Sequence, residues 1–243
     1  MAEKIISVVV PTLNEGGFIG KCLESLANQS LPREEYEIIV SDSSSEDRTV
    51  QIAKKLADKV VVCKRVSAGF GRNFGAKQAK GKYIVFIDGD TRASRTFLEG
   101  VKESLENAVA STGPISALEK DSIVMRAYYK MWSLQNRITV LIHFPLFPGF
   151  NFAVRRGIFE REKGFLTGNI TTEDLELSLR LKKKGRIAFS NKMLVYTSTR
   201  RIRELGLTSC IKSATNFLLF GKSHPWEEHR QDFAKGKKKK KAG

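Results

Sequence analysis

Residues 5–10, Ile-Ile-Ser-Val-Val-Val, place five apolar β-branched side chains in six positions. Such a run has no polar face to turn to water, so it fits a strand covered on both sides. That cover comes most often from helices packed on both faces of a parallel sheet. The next segments supply them in alternation. Residues 18–26 carry Phe18, Ile19, Cys22, Leu23 and Leu26 at helical spacing. Residues 37–40 form a second strand. The helix after it turns Val50, Ala53, Leu56 and Ala57 inward, with Ser44 or Ser45 as its cap and Glu46 and Asp47 in its first turn. Residues 59–63 are a third strand, 70–80 a helix and 83–87 a fourth strand. Ser94 then opens a helix with Phe97, Leu98, Val101 and Leu105 on one face.

Strand alternating with helix over about a hundred residues implies an α/β fold with a mostly parallel sheet and right-handed crossovers. In open sheets of this kind the ligand sits beyond the carboxyl ends of the strands. There the chain places Thr12-Leu13-Asn14-Glu15, then Ser41-Asp42-Ser43-Ser44-Ser45, then Asp88-Gly89-Asp90. Carboxylates gathered at one rim repel each other unless a cation or a donor-rich ligand holds them. Yet the chain is basic: 42 Lys and Arg against 26 Asp and Glu give +16. Six of those lysines lie in residues 235–243, and +10 remains without them. That balance points to an anionic ligand. With 41% hydrophobic and 28% charged residues, a disordered or fibrous chain is excluded.

The second half is less regular. Residues 121–136 read as a helix, and 147–154 as a Pro-Gly turn leading into a short strand. Residues 173–184 are ambiguous: Leu175, Leu177, Leu179 and Leu181 alternate as in a strand, while the Glu, Leu, Arg and Lys composition favours a helix. Thr171 and Thr172 can cap it, Glu173 and Asp174 suit its first turn and Gly185 its end, so a helix is expected. Residues 203–221 form a final helix, and 235–243 a disordered basic tail. Cys22, Cys63 and Cys210 are too dispersed for a disulfide framework or a zinc knuckle, as in a reducing interior. Residues 1–15 lack the pattern of a signal peptide. The apolar stretch 138–154 is too short and interrupted to span a bilayer.

Asp88-Gly89-Asp90 is the sharpest local feature. Two carboxylates beyond a buried strand suit Mg²⁺ or Mn²⁺, which bind through one or two carboxylates and substrate phosphates; the alternative is a simple Asp-Gly turn. Glu173-Asp174 complements a helix dipole or presents a general base to a cleft. Asp42 among its serines, Glu15 and Arg72 each have an ordinary capping or surface alternative. His224 and His229, five apart across Pro225, lack the paired spacing of a zinc helix. Tyr128, Tyr129, Trp132, Phe144, Phe147 and Phe150 read as core or acceptor-pocket lining, not as a stacking platform for nucleic acid.

In order along the chain these pieces form a pattern. Val9-Val10-Pro11-Thr12-Leu13-Asn14-Glu15 resembles the opening of glycosyltransferase family 2. Asp42-Ser43-Ser44-Ser45-Glu46-Asp47-Arg48-Thr49 is similar to that family's Asp-Ser-x-Ser-x-Asp-Arg-Thr loop. Arg72-Asn73-Phe74-Gly75, followed by Tyr83-Ile84-Val85-Phe86-Ile87-Asp88-Gly89-Asp90, resembles its Arg-Asn-x-Gly helix and Asp-x-Asp strand. Gly149-Phe150-Asn151 and Thr172-Glu173-Asp174-Leu175-Glu176-Leu177 resemble its Gly-x-Asn and Glu-Asp segments.

The resemblance, over roughly residues 5–200, implies a GT-A fold. Residues 1–112 would be the nucleotide-sugar-binding half, and 113–234 the acceptor and catalytic-base half of the same domain. It implies inverting transfer of a sugar from a nucleotide diphosphate donor to a hydroxyl or phosphate acceptor, with a lipid-linked acceptor among the options. Pro11, Leu13 and Glu15 would line the nucleoside pocket, and Asp42 would contact the base. Arg72 and Gly89 would lie in the donor site. Asp88 and Asp90 would hold the metal (Mg²⁺ or Mn²⁺) and the donor, and Asp174 would be the base. The Gln-x-x-Arg-Trp motif of processive polymer synthases is absent. Arg200 and Arg201, in Thr199-Arg200-Arg201, are candidates for the diphosphate, the alternative being a solvated basic strand end.

Two other functions stay open on sequence alone. A nucleotidyltransferase would carry a glycine-rich basic loop directly after the first strand, where Thr12-Leu13-Asn14-Glu15 stands. A non-catalytic binder of nucleic acid or anionic membrane would be expected from the charge, but a carboxylate rim opposes nucleic acid. The expected location is cytoplasmic, with peripheral attachment at the inner face of the cell membrane as an option. That option rests on Leu207, Ile211, Ala214 and Leu218 forming one helical stripe before the lysine-rich tail.

Overall fold

A computed structural model describes residues 4–119, 122–167 and 173–206. The strands of the main sheet are β1 (Ile6–Thr12), β2 (Tyr36–Asp42), β3 (Lys59–Val62), β4 (Tyr83–Phe86), β6 (Ala110–Thr112), β8 (Phe152–Arg155) and β9 (Ile187–Phe189). They lie in the order β3-β2-β1-β4-β8-β6-β9. The first four run parallel, with Val9 of β1 beside Ile39 of β2 and Phe86 of β4. β8 is antiparallel to both of its neighbours, β4 and β6, and β9 is parallel to β6. A small second sheet is formed by β5 (Thr91–Ala93), β10 (Val195–Thr197) and β7 (Ile115–Ala117), in that order. The helices are α1 (Ile19–Ala27), α2 (Thr49–Leu56), α3 (Ala68–Ala76), α4 (Phe97–Glu106), α5 (Ile123–Leu141), α6 (Arg156–Arg161), α7 (Glu173–Lys182) and α8 (Arg200–Leu205).

The β-branched opening run is covered on both faces, as its composition requires. Val8 and Val10 join Ile38, Val40 and Val85 under α1 and α4, against Ile19, Leu23, Phe97 and Val101. Val9 joins Ile84 and Phe86 on the other face, against Ala76 of α3 and Leu177 and Leu181 of α7. Phe86 meets the rings of Phe152, Phe159 and Phe165 at centroid distances of 5.8, 5.3 and 5.1 Å. Such pairs contribute about 0.5–1.5 kcal/mol each beyond area burial. Close approach of α3 to the sheet depends on Gly75. A Cβ there would lie 2.5 Å from Val9 Cγ1 and 3.0 Å from Ser41 Cβ.

Several expected boundaries move. α2 begins at Thr49, and neither Ser44 nor Ser45 caps it. Asp47 does that work, accepting from the Thr49 amide at 2.9 Å, while the Ser45 hydroxyl turns back to Asp42 at 2.6 Å. α3 starts two residues earlier than expected because Ser67 caps it, Oγ accepting from the Phe70 amide. The helix after Ser94 starts at Phe97, since Ser94 donates to the Lys192 carbonyl instead. α5 runs five residues past Asn136. The 173–184 segment is a helix, ending at Lys182. Cys22 and Cys63 are buried and unbridged. The helix expected over 203–221 starts earlier, at Arg200, and α8 ends at Leu205, where Gly206 turns to φ 81°. The expected caps Thr171 and Thr172, residues 207–221, Cys210, His224, His229 and the tail 235–243 lie outside the described residues.

Candidate functional site

The loops after β1 and β2 are built into one another. Asn14 and Ser44 both adopt left-handed backbone, φ 55° and 59°, a conformation that asparagine tolerates better than most residues. The Asn14 amide donates to Ser45 Oγ at 2.8 Å, and the Glu46 amide donates to Asn14 Oδ1 at 2.9 Å. Asp42, at the end of β2, is fully buried. Its Oδ2 accepts from Thr12 Oγ1 at 2.8 Å and Ser45 Oγ at 2.6 Å, and its Oδ1 accepts from the Ser45 amide at 2.8 Å. Asp42 therefore clamps the two loops together. Pro11 and Leu13 are half-buried at the same strand end.

Beyond β4 the chain turns through Asp88-Gly89-Asp90. Gly89 is buried against Thr12 and Glu15, and a Cβ there would lie 3.1 Å from Thr12 Cγ2. Glu15 and Asp90 are buried and Asp88 half-buried. Burial first, and then the charges of Asp90, Asp88 and Glu15, push the thiol of Cys22 far above its ordinary range. The thiol thereby registers negative charge concentrated at this rim.

Two guanidinium groups answer that charge. Arg72, on α3, is 4% exposed. Its Nη2 lies 2.9 Å from Asp88 Oδ1 and its Nη1 3.5 Å from Glu173 Oε1. Its Cζ sits 5.4 Å from the Phe165 ring centroid. The backbone of Gly149 closes over it, where a Cβ would come within 2.7 Å of Cζ. Burial alone would lower the Arg72 pKa, but Asp88, Glu173 and Asp174 more than offset this and raise it. Arg200, at the start of α8, reaches Glu15 with Nη2 at 2.9 and 3.0 Å and stands 3.5 Å from Asp90 Oδ2. Its guanidinium lies over the Phe18 ring at 4.6 Å. Arg201 belongs to α8 by its backbone.

Asp174, in the first turn of α7, is half-buried. Its Oδ2 accepts from the Gly149 amide at 3.1 Å and its Oδ1 from the Leu175 amide at 2.9 Å. Through Arg72 and Gly149 it is joined to Asp88. The structure thus brings Glu15, Arg72, Asp88, Gly89, Asp90, Asp174 and Arg200 together, with Asp42, Pro11 and Leu13 on the adjoining loop.

Two carboxylates have roles that sequence reasoning does not assign. Glu173 reads from sequence as part of a Glu-Asp pair that complements a helix dipole or presents a base, yet it is 1% exposed and faces Arg72. Glu119 carries no sequence signal at all. It fixes the start of α8, accepting from the Thr199 amide at 2.7 Å and from Ser198 Oγ at 2.9 Å. Burial would raise its pKa, but these hydrogen bonds outweigh it and hold the carboxyl below its usual value.

Among the described residues no three His, Cys, Asp or Glu side chains converge as a complete metal cage. Asp88 and Asp90 nevertheless supply hard oxygens of the type that Mg²⁺ and Mn²⁺ take up alongside substrate phosphates. The concentrated rim charge suits a divalent cation, so the donor set fits one.

The sequence of this chain matches the family model described as Glycosyl transferase family 2 over residues 7–162. It is 46% identical over 92 residues to the poly(ribitol-phosphate) beta-glucosyltransferase of Bacillus spizizenii, covering 35% of this chain and 14% of that protein. It is 28% identical over 219 residues to a dolichyl N-acetyl-alpha-D-glucosaminyl phosphate diacetamido-dideoxy-glucuronosyltransferase of Methanococcus voltae, covering 78% of this chain and 65% of that one. The match thus spans a minor part of the former relative and about two thirds of the latter. Among solved structures, Staphylococcus aureus TarS 1–349 with UDP-GlcNAc superposes with a TM-score of 0.65 at 23% identity, over 80% of this chain and 58% of TarS 1–349. The Pyrobaculum calidifontis mannosyltransferase with GDP-Man and Mn²⁺ does so at 0.63 and 21% identity, over 94% and 69%. These likenesses establish the GT-A fold, and the family match, over more than half of the chain, establishes the rest: this chain is a member of glycosyltransferase family 2.

Proposed function

We propose that this chain transfers a sugar, with inversion, from a nucleoside diphosphate donor to a hydroxyl or phosphate acceptor. The observation that carries the reading is Asp174 at the start of α7, facing the Glu15, Asp88 and Asp90 rim across the Arg72 and Gly149 bridge. The donor's nucleoside lies against Pro11, Leu13 and the loop clamped by Asp42. Asp88 and Asp90 would hold a divalent metal, which offsets charge on the leaving diphosphate when bound. Arg72 keeps Asp88 turned toward the rim. Arg200, whose side chain is 32% exposed, can exchange a carboxylate for a phosphate oxygen as a bidentate donor. Asp174 accepts the acceptor's proton as the acceptor oxygen attacks the anomeric carbon and the bond to the diphosphate breaks.

The neighbours support a uridine or guanosine diphosphate sugar: TarS was solved with UDP-GlcNAc, the Pyrobaculum enzyme with GDP-Man and Mn²⁺. The names of the relatives point to phosphate-bearing acceptors, poly(ribitol-phosphate) in one and a dolichyl phosphate saccharide in the other. The net charge of +16 suits either. In this division of labour, residues 1–112 bind donor and residues 113–234 bind acceptor and supply the base. A thermal-shift panel of UDP, GDP, CDP and ADP, with and without Mn²⁺ or Mg²⁺, tests the donor site, because a ligand that binds the native state raises the melting temperature. UDP or GDP should stabilise the protein only with metal, and Asp90→Ala should remove that gain. Equal stabilisation in chelator, or none by any nucleotide, would refute the reading.

A further inference from the structure

The long helix α5 divides into three sectors at 3.6 residues per turn. One sector packs inward: Tyr129, Asn136, Thr139 and Val140 are buried, and Trp132 meets Phe150 edge-on at 5.6 Å. A second sector carries Ile123, Val124, Met131, Leu134, Ile138 and Leu141, each 46–75% exposed. An apolar stripe of this extent is unusual on an ordinary soluble surface. The third sector borders the stripe along one edge and carries Arg126, Lys130 and Arg137, one turn or two apart. None of the three makes an ion pair among the described residues. They line a groove of about 470 Å³ whose wall, with Ile115, Ser133 and Phe189, contains no acidic residue.

We propose that this face of α5 docks on an anionic phospholipid bilayer. The apolar sector enters the boundary between headgroups and acyl chains, and Arg126, Lys130 and Arg137 take lipid phosphates along its edge. An amphipathic helix lying in the interface plane has this arrangement, cationic side chains beside large apolar ones. Charge selects the partner. α5 has no Asp or Glu, so a second copy packed stripe to stripe would set cation against cation. Residues 207–243 are no better matched, with nine Lys and Arg against three Asp and Glu. The surface is one of docking only, for no helix among the described residues is long and apolar enough to cross a membrane.

The inner sector of α5 touches the proposed acceptor side, and to that extent the inference rests on the proposed function. α5 holds Phe150 through Trp132, and the neighbouring Gly149 amide donates to Asp174. Docking by α5 would bring the base beside the layer in which a lipid-linked acceptor is embedded.

Co-sedimentation of the full chain with phosphatidylcholine vesicles, with and without phosphatidylglycerol, at low and high salt, tests the proposal. Pelleting should require phosphatidylglycerol and weaken with salt. Replacing Arg126, Lys130 and Arg137 by Ala should lower the partition coefficient on the order of 100-fold, the product of three interfacial cations. Leu134→Asp with Ile138→Asp should abolish pelleting while the protein still melts cooperatively, since both side chains are about half exposed. Deleting residues 235–243 should leave most of the α5-dependent binding in place. Pelleting that is lost with the tail but indifferent to the α5 variants would overturn the proposal. So would a dimer in light scattering that Leu134→Asp with Ile138→Asp dissolves, or binding to soluble polyphosphate but not to vesicles. Nucleotide binding measured on the same samples separates the readings: its loss would sink the donor site and leave the docking surface standing.

Discussion

Replacing Arg72 by Met removes a cation that touches both Asp88 and Glu173. The Glu173 side chain is 2% exposed and that of Asp88 16%, so Glu173 has almost no water to turn to. Removing one partner of such a pair costs about 3–5 kcal/mol, mostly the penalty of the charge left behind. At about 2–4 °C per kcal/mol for a chain of this size, the melting temperature should fall by roughly 6–20 °C. Glu173→Gln on the Arg72→Met background removes the more buried of the two charges that Arg72 faces. It should recover at least half of the loss, because a buried pair replaced by neutral groups of similar volume is often close to neutral. Arg72→Lys should fall between wild type and Arg72→Met, since one ammonium cannot reach both carboxylates with the fork that guanidinium supplies. Thermal melts of the four proteins and calorimetry with a nucleoside diphosphate are the assays. Nucleotide affinity should drop with Arg72→Met and stay low in the double variant, because Asp88 remains unheld. A loss in Arg72→Met of under about 1 kcal/mol, or no recovery from Glu173→Gln, would refute the view that Arg72 is a buried counter-ion.

Asp174→Asn keeps the hydrogen bond from Gly149 and loses the proton acceptor, so transfer should fall by about 10²-fold or more with donor affinity unchanged; turnover near wild type would remove Asp174 from the chemistry. Asp42→Ala strands two hydroxyl donors and an amide, and should cost about 2–3 kcal/mol in urea unfolding, with UDP, GDP and CDP weakened alike. A loss confined to UDP and GDP would assign Asp42 to base reading instead. Glu119 has a folded-state pKa below its usual 4.5, so its contribution is present above that value and fades as pH falls through the folded value. Glu119→Gln should therefore melt lower than wild type at pH 7 and match it in acid, and an equal deficit at both pH values would contradict the charge-based account. Arg200→Met should weaken nucleoside diphosphates more than monophosphates in calorimetry, and equal losses would place Arg200 outside the phosphate site.

The alternation of strands and helices is legible because it is local. Burial on both faces leaves its mark within six residues at 5–10, and helical spacing within nine at 18–26. The rim is legible for a related reason, since a parallel sheet gathers the loops at the carboxyl ends of its strands along one edge. The sheet beyond β4 is harder to foresee. β8 enters beside it in antiparallel register, pairing Phe86 with Phe152, and a pairing across 66 positions leaves no periodicity to read. Local capping chemistry misleads at Ser45, whose hydroxyl has a stronger claimant in the buried Asp42 carboxylate. The counter-ions are the least legible element. Arg72 meets Glu173 across 101 positions and Arg200 meets Glu15 across 185. At the level of sequence the motif at 72–75 marks Arg72 and the run 199–201 marks Arg200, but neither names the carboxylate it meets.

The two arginines divide one electrostatic task by their burial. Under the proposed function, a rim that gathers Glu15, Asp88 and Asp90 would have to be neutralised before a diphosphate arrives, and would have to release some of that neutralisation to a metal and phosphates. Arg72 cannot serve the second need. Its side chain is 5% exposed, pinned between two carboxylates, a phenyl ring and the backbone of Gly149, so moving it would uncover Glu173. Arg200 can. It approaches from a short helix whose start is held by Glu119, its side chain is 32% exposed, and Phe18 offers its guanidinium an aromatic face on which to pivot. If the proposed function holds, a buried Arg72 and a more exposed Arg200 would let the same carboxylates fold as ion pairs and bind as ligands.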